Sequence, residues 1–267
     1  MKVHPTAIVE KGASLGEGVE IGPFSLIGPE ATVGAETIIG SHVVIEGPVR
    51  IGQRNCLGHG SIIGGAPQDL GFKPETKSRV EIGEGNVIRE HCTIHRGTAE
   101  GSATVIGDGN FLMAGAHIGH NCQVGHGVII ANNCLLGGHV RIGDGAFLGG
   151  GSVFHQYIRI GRLAITQGNS GLSKDIPPFV VAAEVNTIAG LNVVGLRRAG
   201  FSGAERDEVK RAFKLLFRSS LNTRQALEKS AEIEWGPQGR EFFAFVAQAG
   251  TRGIAAYRGT ATGDDDD

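Results

Sequence analysis

A residue that is usually aliphatic, and is often followed by glycine, recurs at every sixth position through most of the first 172 residues. Eleven such positions run without a miss over residues 3–63, three more cover 82–94, and twelve follow over 106–172. A period of six matches neither the 3.6-residue turn of a helix nor the two-residue alternation of a half-buried strand. Each hexad therefore predicts one short strand followed by a corner.

Three hexads can close into a triangular coil of 18 residues, and coils stacked at the usual strand spacing of about 4.8 Å hydrogen-bond to one another. The repeat therefore predicts a parallel β-helix of eight to nine coils. The fourth residue after each aliphatic position is often small or β-branched, which suits a second inward position in a narrow prism. The cysteines have no CxxC spacing, and we expect reduced, buried core residues at Cys56, Cys92, Cys122 and Cys134.

Departures from the period divide the chain into regions. The hexads are interrupted at 65–81 and 95–105, and insertions in a solenoid are displaced to its surface as loops. We expect the β-helix to span 1–178, a connecting segment 179–200, and an α-helical domain 201–258. That domain begins with a capping box at Ser202 and Glu205, and further helices are predicted over 223–233 and 237–248. The acidic end, 259–267, is predicted to be disordered.

Composition narrows the function. The chain has 44 glycines, 25 basic and 27 acidic residues, and a net charge of −2, of which the last four aspartates supply a large part. A nearly neutral body disfavours nucleic-acid binding. No apolar run of 18 residues and no signal peptide is evident, so we expect no stable membrane insertion and a cytoplasmic location.

The candidate chemistry lies among the histidines, all ten of which fall in the repeat region. Most surface histidines are merely solvated or hydrogen-bonded, but residues 18 apart stack, so Gly138 should lie over His120 and His139 over Asn121. His120 is the second residue after the inward Ile118, which predicts an exposed ring that points outward. Such an imidazole can act as a general base toward a substrate hydroxyl, and a backbone N–H at Gly138 could stabilise an oxyanion.

Several motifs carry a resemblance to a known family. They are Thr93-Ile94-His95-Arg96-Gly97-Thr98, His117-Ile118-Gly119-His120, Gly138-His139-Val140, His155-Gln156 and the helical C-terminus. In this order and spacing, over residues 1 to about 220, the chain resembles the UDP-N-acetylglucosamine O-acyltransferases of lipid A biosynthesis. The resemblance implies a left-handed β-helix, a homotrimer with sites between subunits, and transfer of an (R)-3-hydroxyacyl chain from acyl carrier protein to the sugar 3-hydroxyl.

The resemblance also implies roles for individual residues. His120 takes the place of the general base and Gly138 that of the oxyanion-stabilising amide, and no cofactor or metal is required. Gly168 matches the position that limits acyl-chain length, and Asn192 and Arg198 match positions near the nucleotide and the carrier. The other positions that match substrate contacts are Gln68, Asp69, His95, His117, His139 and Gln156.

Two stretches depart from the family pattern. The first loop reads Gln68-Asp69-Leu70-Gly71-Phe72-Lys73, without the usual lysine at position 71, which Lys73 could replace. Residues 183–188 replace the usual Gly-Asn-His-Ala-Thr-Pro. Three alternatives therefore stay open: a related acyltransferase with a 3-amino sugar acceptor, a non-catalytic protein that binds a sugar nucleotide or carrier protein, and a zinc enzyme of the carbonic-anhydrase type.

Basic residues gather on the first predicted helix of the C-terminal region, at Lys210, Arg211, Lys214 and Arg218. A solvated helix face is the ordinary explanation of such a pattern. The functional alternative is docking of the acidic acyl carrier protein, which charge complementarity would favour.

Overall fold

The computed structural model describes residues 1–259, so the predicted disordered tail lies, apart from Gly259, outside the described residues. Three sheets of short parallel strands form the walls of a triangular prism. Along its length, sheet A contains β1 (Lys2–Val3), β4 (Glu20–Ile21), β7 (Ile38–Ile39), β10 (Cys56–Leu57), β13 (Val87–Ile88), β16 (Phe111–Leu112), β19 (Ile129–Ile130), β22 (Phe147–Leu148) and β25 (Ile165–Thr166).

The other two walls have the same construction. Sheet B contains β2 (Ile8–Val9), β5 (Leu26–Ile27), β8 (Val44–Ile45), β11 (Ile62–Gly65), β14 (Thr93–His95), β17 (His117–Ile118), β20 (Leu135–Leu136), β23 (Val153–Phe154) and β26 (Gly171–Leu172). Sheet C contains β3 (Ser14–Leu15), β6 (Ala31–Val33), β9 (Val49–Ile51), β12 (Arg79–Ile82), β15 (Ala103–Ile106), β18 (Gln123–Val124), β21 (Arg141–Ile142) and β24 (Arg159–Ile160).

The repeat predicted the register of the prism. Outside the interruptions, strands pair with partners 18 residues away, as in the pairing of Ile118 with Leu136. The repeated aliphatic side chains fill the interior, and Ile45, Ile94 and Ile118 are fully buried. The prediction of a parallel β-helix followed by helices is confirmed.

The second inward position holds three of the four cysteines. Burial raises the pKa of the Cys92 thiol to about 11 and that of Cys122 and Cys134 to about 12, so these thiols stay protonated. The expectation for Cys56 is wrong, because this residue is exposed. Cys56 immediately precedes the inward Leu57, and alternation along a strand turns its side chain to the outer face of sheet A.

A column of buried asparagines joins successive coils. The Asn86 backbone N–H donates to Asn55 Oδ1 (2.9 Å), the Asn110 N–H donates to Asn86 Oδ1 (2.8 Å), and the Val128 N–H donates to Asn110 Oδ1 (2.7 Å). Each amide therefore satisfies a backbone group of the next coil inside the prism, where no water replaces it.

We expect Asn86→Leu to lower the free energy of unfolding by about 2–4 kcal/mol, because it leaves the Asn110 N–H and an Asn55 lone pair buried without a partner. The change is measured by thermal and denaturant unfolding. The matched control is Asn132→Leu at an exposed asparagine. Equal loss of stability in the two variants would contradict the structural role given to the column.

Both interruptions leave the prism at the same edge. Residues 66–78 connect β11 to β12, and residues 96–102 connect β14 to β15, so each runs from sheet B to sheet C. We call this edge the B/C corner. It carries both long excursions of the chain, and the histidines discussed below lie along it or on the strands of sheet B that lead to it.

The segment predicted as a connector has its own structure. Strand β27 (Val180–Ala183) extends sheet A in parallel with β25, and β28 (Thr187–Leu191) pairs with β27 in the antiparallel direction. Helix α1 (Val193–Arg198) follows, with Asn192 as its N-cap.

Three further helices complete the described chain: α2 (Gly203–Phe217), α3 (Thr223–Ala231) and α4 (Pro237–Ala247). The predicted capping box at Ser202 and Glu205 is present. A last strand, β29 (Ala256–Tyr257), pairs with β28 and so returns to sheet A. No helix among residues 1–259 is both long enough and apolar enough to cross a membrane.

Two arginines attach α4 to the prism. Arg159 binds Asp175 (2.7 Å) and donates to the Phe245 carbonyl (2.9 Å). Arg162 binds Glu241 of α4 (2.7 Å). The helical region is therefore held against the end of sheet C by specific ion pairs and not by apolar contact alone.

Candidate active site

Four histidines, His95, His117, His120 and His139, form a cluster that we call the histidine corner. His95 and His117 lie on adjacent strands of sheet B with ring centroids 4.9 Å apart, and the His120 and His139 rings, on successive coils, are 5.2 Å apart. All four were predicted as site residues from the sequence, and the structure brings them together. His126, also prominent in the sequence, lies elsewhere and contacts Asp108.

The His120 ring rests against the next coil, as the 18-residue spacing predicted. A Cβ atom on Gly138 would overlap the Cε1 and Nε2 atoms of this ring. His120 is nevertheless only 8% exposed in the single chain. The prediction of an exposed side chain is therefore wrong, because Asn121, His139 and the Gly138 backbone enclose the ring at the corner.

Asn121 orients the His120 imidazole. Its Oδ1 accepts hydrogen bonds from the Thr98 backbone N–H (3.1 Å) and the Thr98 hydroxyl (3.0 Å), which identifies this atom as the amide oxygen. The same oxygen lies 2.9 Å from His120 Nδ1. Because an oxygen can only accept there, Nδ1 carries the proton, and in the neutral ring Nε2 keeps its lone pair.

The other three imidazoles are biased toward the neutral form. Burial, followed by the proximity of His117 and His120, lowers the pKa of His95 to about 4. Burial and then His120 also lower the pKa of His117, and burial, His120 and Arg141 lower that of His139. These neutral rings can donate or accept hydrogen bonds, whereas a cluster of imidazolium ions would repel one another.

Gly138 offers a free backbone donor beside this ring. Its neighbours Gly137 and His139 donate their N–H groups to Phe154 and His120, but the Gly138 N–H has no acceptor among residues 1–259. On the next coil, Gln156 is exposed, and Tyr157 stacks on His139 with centroids 4.4 Å apart. The site thus holds a candidate base and an unoccupied N–H donor at one edge.

The first excursion carries Gln68, Asp69 and Lys73 as exposed residues. Asp69 Oδ1 accepts from the Gly71 N–H (2.7 Å), which closes a tight turn at the position where the family pattern has lysine. None of these three side chains hydrogen-bonds to the histidine corner within the described chain.

Arg96 of the second excursion holds the first one in place. Its guanidinium lies over the Phe72 ring, 5.1 Å from the centroid, and donates to the Pro74 carbonyl (3.3 Å). Phe72 and Pro74 flank Lys73, so this contact fixes the part of the loop that carries the lysine.

Three predicted residues lie away from the histidine corner in the single chain. Gly168 is exposed at the edge between sheets A and B. Asn192 accepts from the Gly195 N–H (2.8 Å) and donates to the Leu163 carbonyl (2.8 Å), so both ends of its amide serve the start of α1. Arg198 is exposed at the end of that helix.

The basic residues of α2 divide between two faces. Lys210, Lys214 and Arg218, joined by Arg206, line a cleft of about 350 Å³ with an apolar floor that includes Leu196. Arg211 does not belong to this set, because it lies over the Trp235 ring on another side of the helix. A spacing of four residues keeps 206, 210, 214 and 218 on one helical face, and 211 falls outside it.

Thr98 and Asn121 were not singled out as functional from the sequence. The signal available for Asn121 was its place directly after the candidate base, at a corner where its φ of 60° suits asparagine. For Thr98 there was only its membership of the second excursion. Within residues 1–259, no three histidine, cysteine, aspartate or glutamate side chains are arranged to hold a metal ion.

Comparison with known proteins gives consistent matches. The family model described as UDP N-acetylglucosamine O-acyltransferase, domain 2, matches residues 175–255, and that of the bacterial transferase hexapeptide matches 103–138. Two relatives bear the name acyl-[acyl-carrier-protein]–UDP-N-acetylglucosamine O-acyltransferase. The one from Paraburkholderia xenovorans is 46% identical over 95% of this chain and 98% of its own, and the one from Halorhodospira halophila is 48% identical over 85% and 88%.

Solved structures agree with this sequence similarity. UDP-N-acetylglucosamine acyltransferase from Francisella novicida superposes with a TM-score of 0.92 at 34% identity, covering 97% of this chain and 95% of its own. The enzyme of that name from Campylobacter jejuni gives a TM-score of 0.90 at 37% identity, covering 96% and 100%.

Proposed function

This chain belongs to the acyl-[acyl-carrier-protein]–UDP-N-acetylglucosamine O-acyltransferase family, and on that premise we propose that His120 is the general base of its reaction. The fold is the left-handed parallel β-helix of that family. The protein is an O-acyltransferase that transfers an acyl group from acyl carrier protein to UDP-N-acetylglucosamine in lipid A biosynthesis.

In the proposed reaction, His120 Nε2 removes the proton of the sugar 3-hydroxyl while that oxygen attacks the thioester carbonyl. The carbonyl oxygen gains negative charge and accepts a hydrogen bond from the Gly138 N–H. Collapse of the tetrahedral intermediate breaks the carbon–sulfur bond. The departing thiolate takes the proton from the imidazolium, which returns His120 to its neutral form and requires no cofactor.

The observation that carries this proposal is the fixed direction of the imidazole. Thr98 sets Asn121, Asn121 receives the Nδ1 proton, and Nε2 is left as the acceptor. General-base catalysis by a positioned side chain contributes about 10²–10⁴-fold to a rate. A single oriented donor such as the Gly138 N–H contributes about 10²–10³-fold.

Substrate contacts are proposed around this pair. The neutral His95, His117 and His139, together with Gln156, face the acceptor sugar. In the first excursion, Gln68 and Asp69 bind the sugar, and Lys73 takes over the phosphate contact of the absent lysine. The Arg96 contact on both sides of Lys73 supports this assignment, because it limits where the lysine can reach.

The acyl and nucleotide ends are assigned to the other two edges of the prism. We assign an (R)-3-hydroxyacyl donor whose chain passes Gly168, where the missing side chain leaves room for a longer chain. Asn192 and Arg198 are assigned to the nucleotide and carrier side. Since the amide of Asn192 already caps α1, its proposed contribution includes positioning Arg198 at the far end of that helix.

A homotrimer would bring these edges together. Two walls of the prism carry outward apolar columns: on sheet A these include Ile38, Val87, Phe111, Ile129, Phe147 and Ile165, and on sheet B Ile62, Leu135 and Val153. The outward column of sheet C is mostly polar. We propose that sheets A and B pack against neighbouring copies, with sheet C toward solvent. Three copies of the 27.8 kDa chain would give about 83 kDa in solution.

Acyl carrier protein is proposed to dock on α2. Lys210, Lys214 and Arg218 present three positive charges along one cleft, which complements an acidic partner. Arg211 was part of the predicted surface, but its contact with Trp235 makes it secondary here. A cytoplasmic location follows from the proposed substrates, since a carrier protein and a nucleotide sugar are both charged, water-soluble molecules.

The experiment is a screen of acceptors and acyl-chain lengths, read by mass spectrometry. UDP-N-acetylglucosamine and its 3-amino analogue are each incubated with 3-hydroxyacyl carrier proteins of several chain lengths. We expect an O-acylated product that is stable to hydroxylamine only when the acceptor is the 3-amino sugar, whose product is an amide. Acylation of the 3-amino sugar alone, or of neither acceptor, would contradict the assigned reaction.

A further inference from the structure

A second cavity lies on the sheet C side of the B/C corner. Its volume is about 590 Å³, and it is enclosed between the outward residues of β18, β21 and β24 and the segment 248–253 that follows α4. Its polar walls include Gln123, Arg141, Tyr157, Arg159, Thr251 and Arg252. The proposed base, His120, is not among the lining residues.

The cavity has an excess of positive charge. Three arginines line it, against a single carboxylate, that of Asp175. Arg141 and Arg159 are paired in register on neighbouring strands of one face, an arrangement in which like charges repel. Arg159 is compensated, because Asp175 accepts hydrogen bonds from its guanidinium at 2.8 and 2.7 Å, and the Phe245 ring lies 4.3 Å away.

Arg141 and Arg252 have no such compensation. Neither guanidinium lies within 4.0 Å of a carboxylate in the described part of the chain, although both line the same cavity. Guanidinium groups bind phosphate oxygens with two parallel hydrogen bonds. Gln123, Tyr157 and Thr251 add an amide and two hydroxyl groups that can donate to the remaining oxygens.

The cavity is also continuous with the histidine corner. Asn121 and His139 line it, and these two residues contact the His120 ring from its own edge. A ligand group held by Arg141 would therefore lie beside the proposed site of acyl transfer, on the polar face that the proposed trimer leaves toward solvent.

We propose that Arg141 and Arg252 form an anion site for a phosphate ester group of a substrate. This inference rests on the proposed function, in which both substrates carry such a group. The acceptor contains a diphosphate, and the carrier protein holds its acyl chain through a phosphopantetheine arm. The shared chemistry is a phosphate bound by two guanidinium groups, and the experiment separates the two sources.

The kinetic test compares Arg141→Gln and Arg252→Gln with Arg50→Gln, a control at an exposed position four strands away on the same outward column of sheet C. We expect each of the first two variants to raise KM for one substrate by at least fivefold, with kcat within twofold and no effect of the control. The substrate whose KM rises identifies the source of the phosphate. KM values within twofold of the parent for both substrates would overturn the proposal.

A binding test keeps this inference separate from the acyltransferase assignment. The thermal midpoint of the purified chain is measured with UDP, with 4′-phosphopantetheine and with inorganic phosphate. We expect phosphate and one of the two organic probes to stabilise the parent and Arg50→Gln, but not Arg141→Gln. Equal stabilisation of Arg141→Gln by all three probes would refute the site. Binding without acyl transfer in the parent would instead refute the proposed function and leave the site standing.

Discussion

Replacement of His120 by alanine is expected to lower kcat/KM for acyl transfer by about 10²–10⁴-fold, with the thermal midpoint close to that of the parent. The variant loses Nε2, the atom to which the sugar 3-hydroxyl proton would pass. The fold should tolerate the change, because the ring lies against the outer edge of the next coil and the inward Ile118 and Cys122 are untouched. Steady-state kinetics at saturating donor measures the loss.

The control for this variant is His126→Ala. His126 lies on the same coil, is exposed, and contacts Asp108 on the neighbouring coil instead of the histidine corner. Its removal is expected to leave kcat/KM within twofold. Turnover of His120→Ala at the parent rate would remove the proposed base, and an equal loss in both variants would show a general effect of losing a surface imidazole.

Gly138→Ala is expected to lower kcat by about 10²-fold although it removes no functional atom. The new Cβ would overlap the His120 ring, which must then move away from Asn121, while the backbone N–H of residue 138 is retained. Misplacement of a catalytic group by about 1 Å can cost about 10²-fold in rate. Kinetics and thermal unfolding are measured together, and the thermal midpoint should change little.

A double-mutant cycle separates ring displacement from other effects of the methyl group. If Gly138→Ala acts through His120, it should cost nothing further in a chain that already carries His120→Ala. The control is Gly190→Ala, at a glycine whose added Cβ meets no atom within 4 Å. Full additivity of the two substitutions would show that the alanine acts on something other than the ring.

The periodic part of the sequence predicted the structure well because each hexad repeats one local geometry. Spacing by 18 placed Gly138 over His120 before any coordinates were considered, and the contact between them confirms that arithmetic. The error at Cys56 came from treating all cysteines as core residues. The residue before Leu57 faces outward by the same period, so the pattern contained the correct answer.

Other features depend on side chains that no period describes. The exposure of His120 is set by how His139 and Asn121 pack around it, and the proton on Nδ1 is set by Thr98 from a non-repeating excursion. Arg211 was grouped with its neighbours by charge, whereas helical phase separates it from Lys210 and Lys214. Local pattern therefore predicted the scaffold, and packing between segments determined the chemistry at the histidine corner.

The central claim is that His120 Nε2 receives the proton of the acceptor hydroxyl. A crystal structure of the protein with UDP-N-acetylglucosamine bound tests it most directly. The predicted result is a distance of about 2.6–3.2 Å between Nε2 and the 3-hydroxyl oxygen, with Nδ1 still bonded to Asn121. A sugar bound with its 3-hydroxyl on another side chain, and with the His120 ring out of its reach, would contradict the assignment.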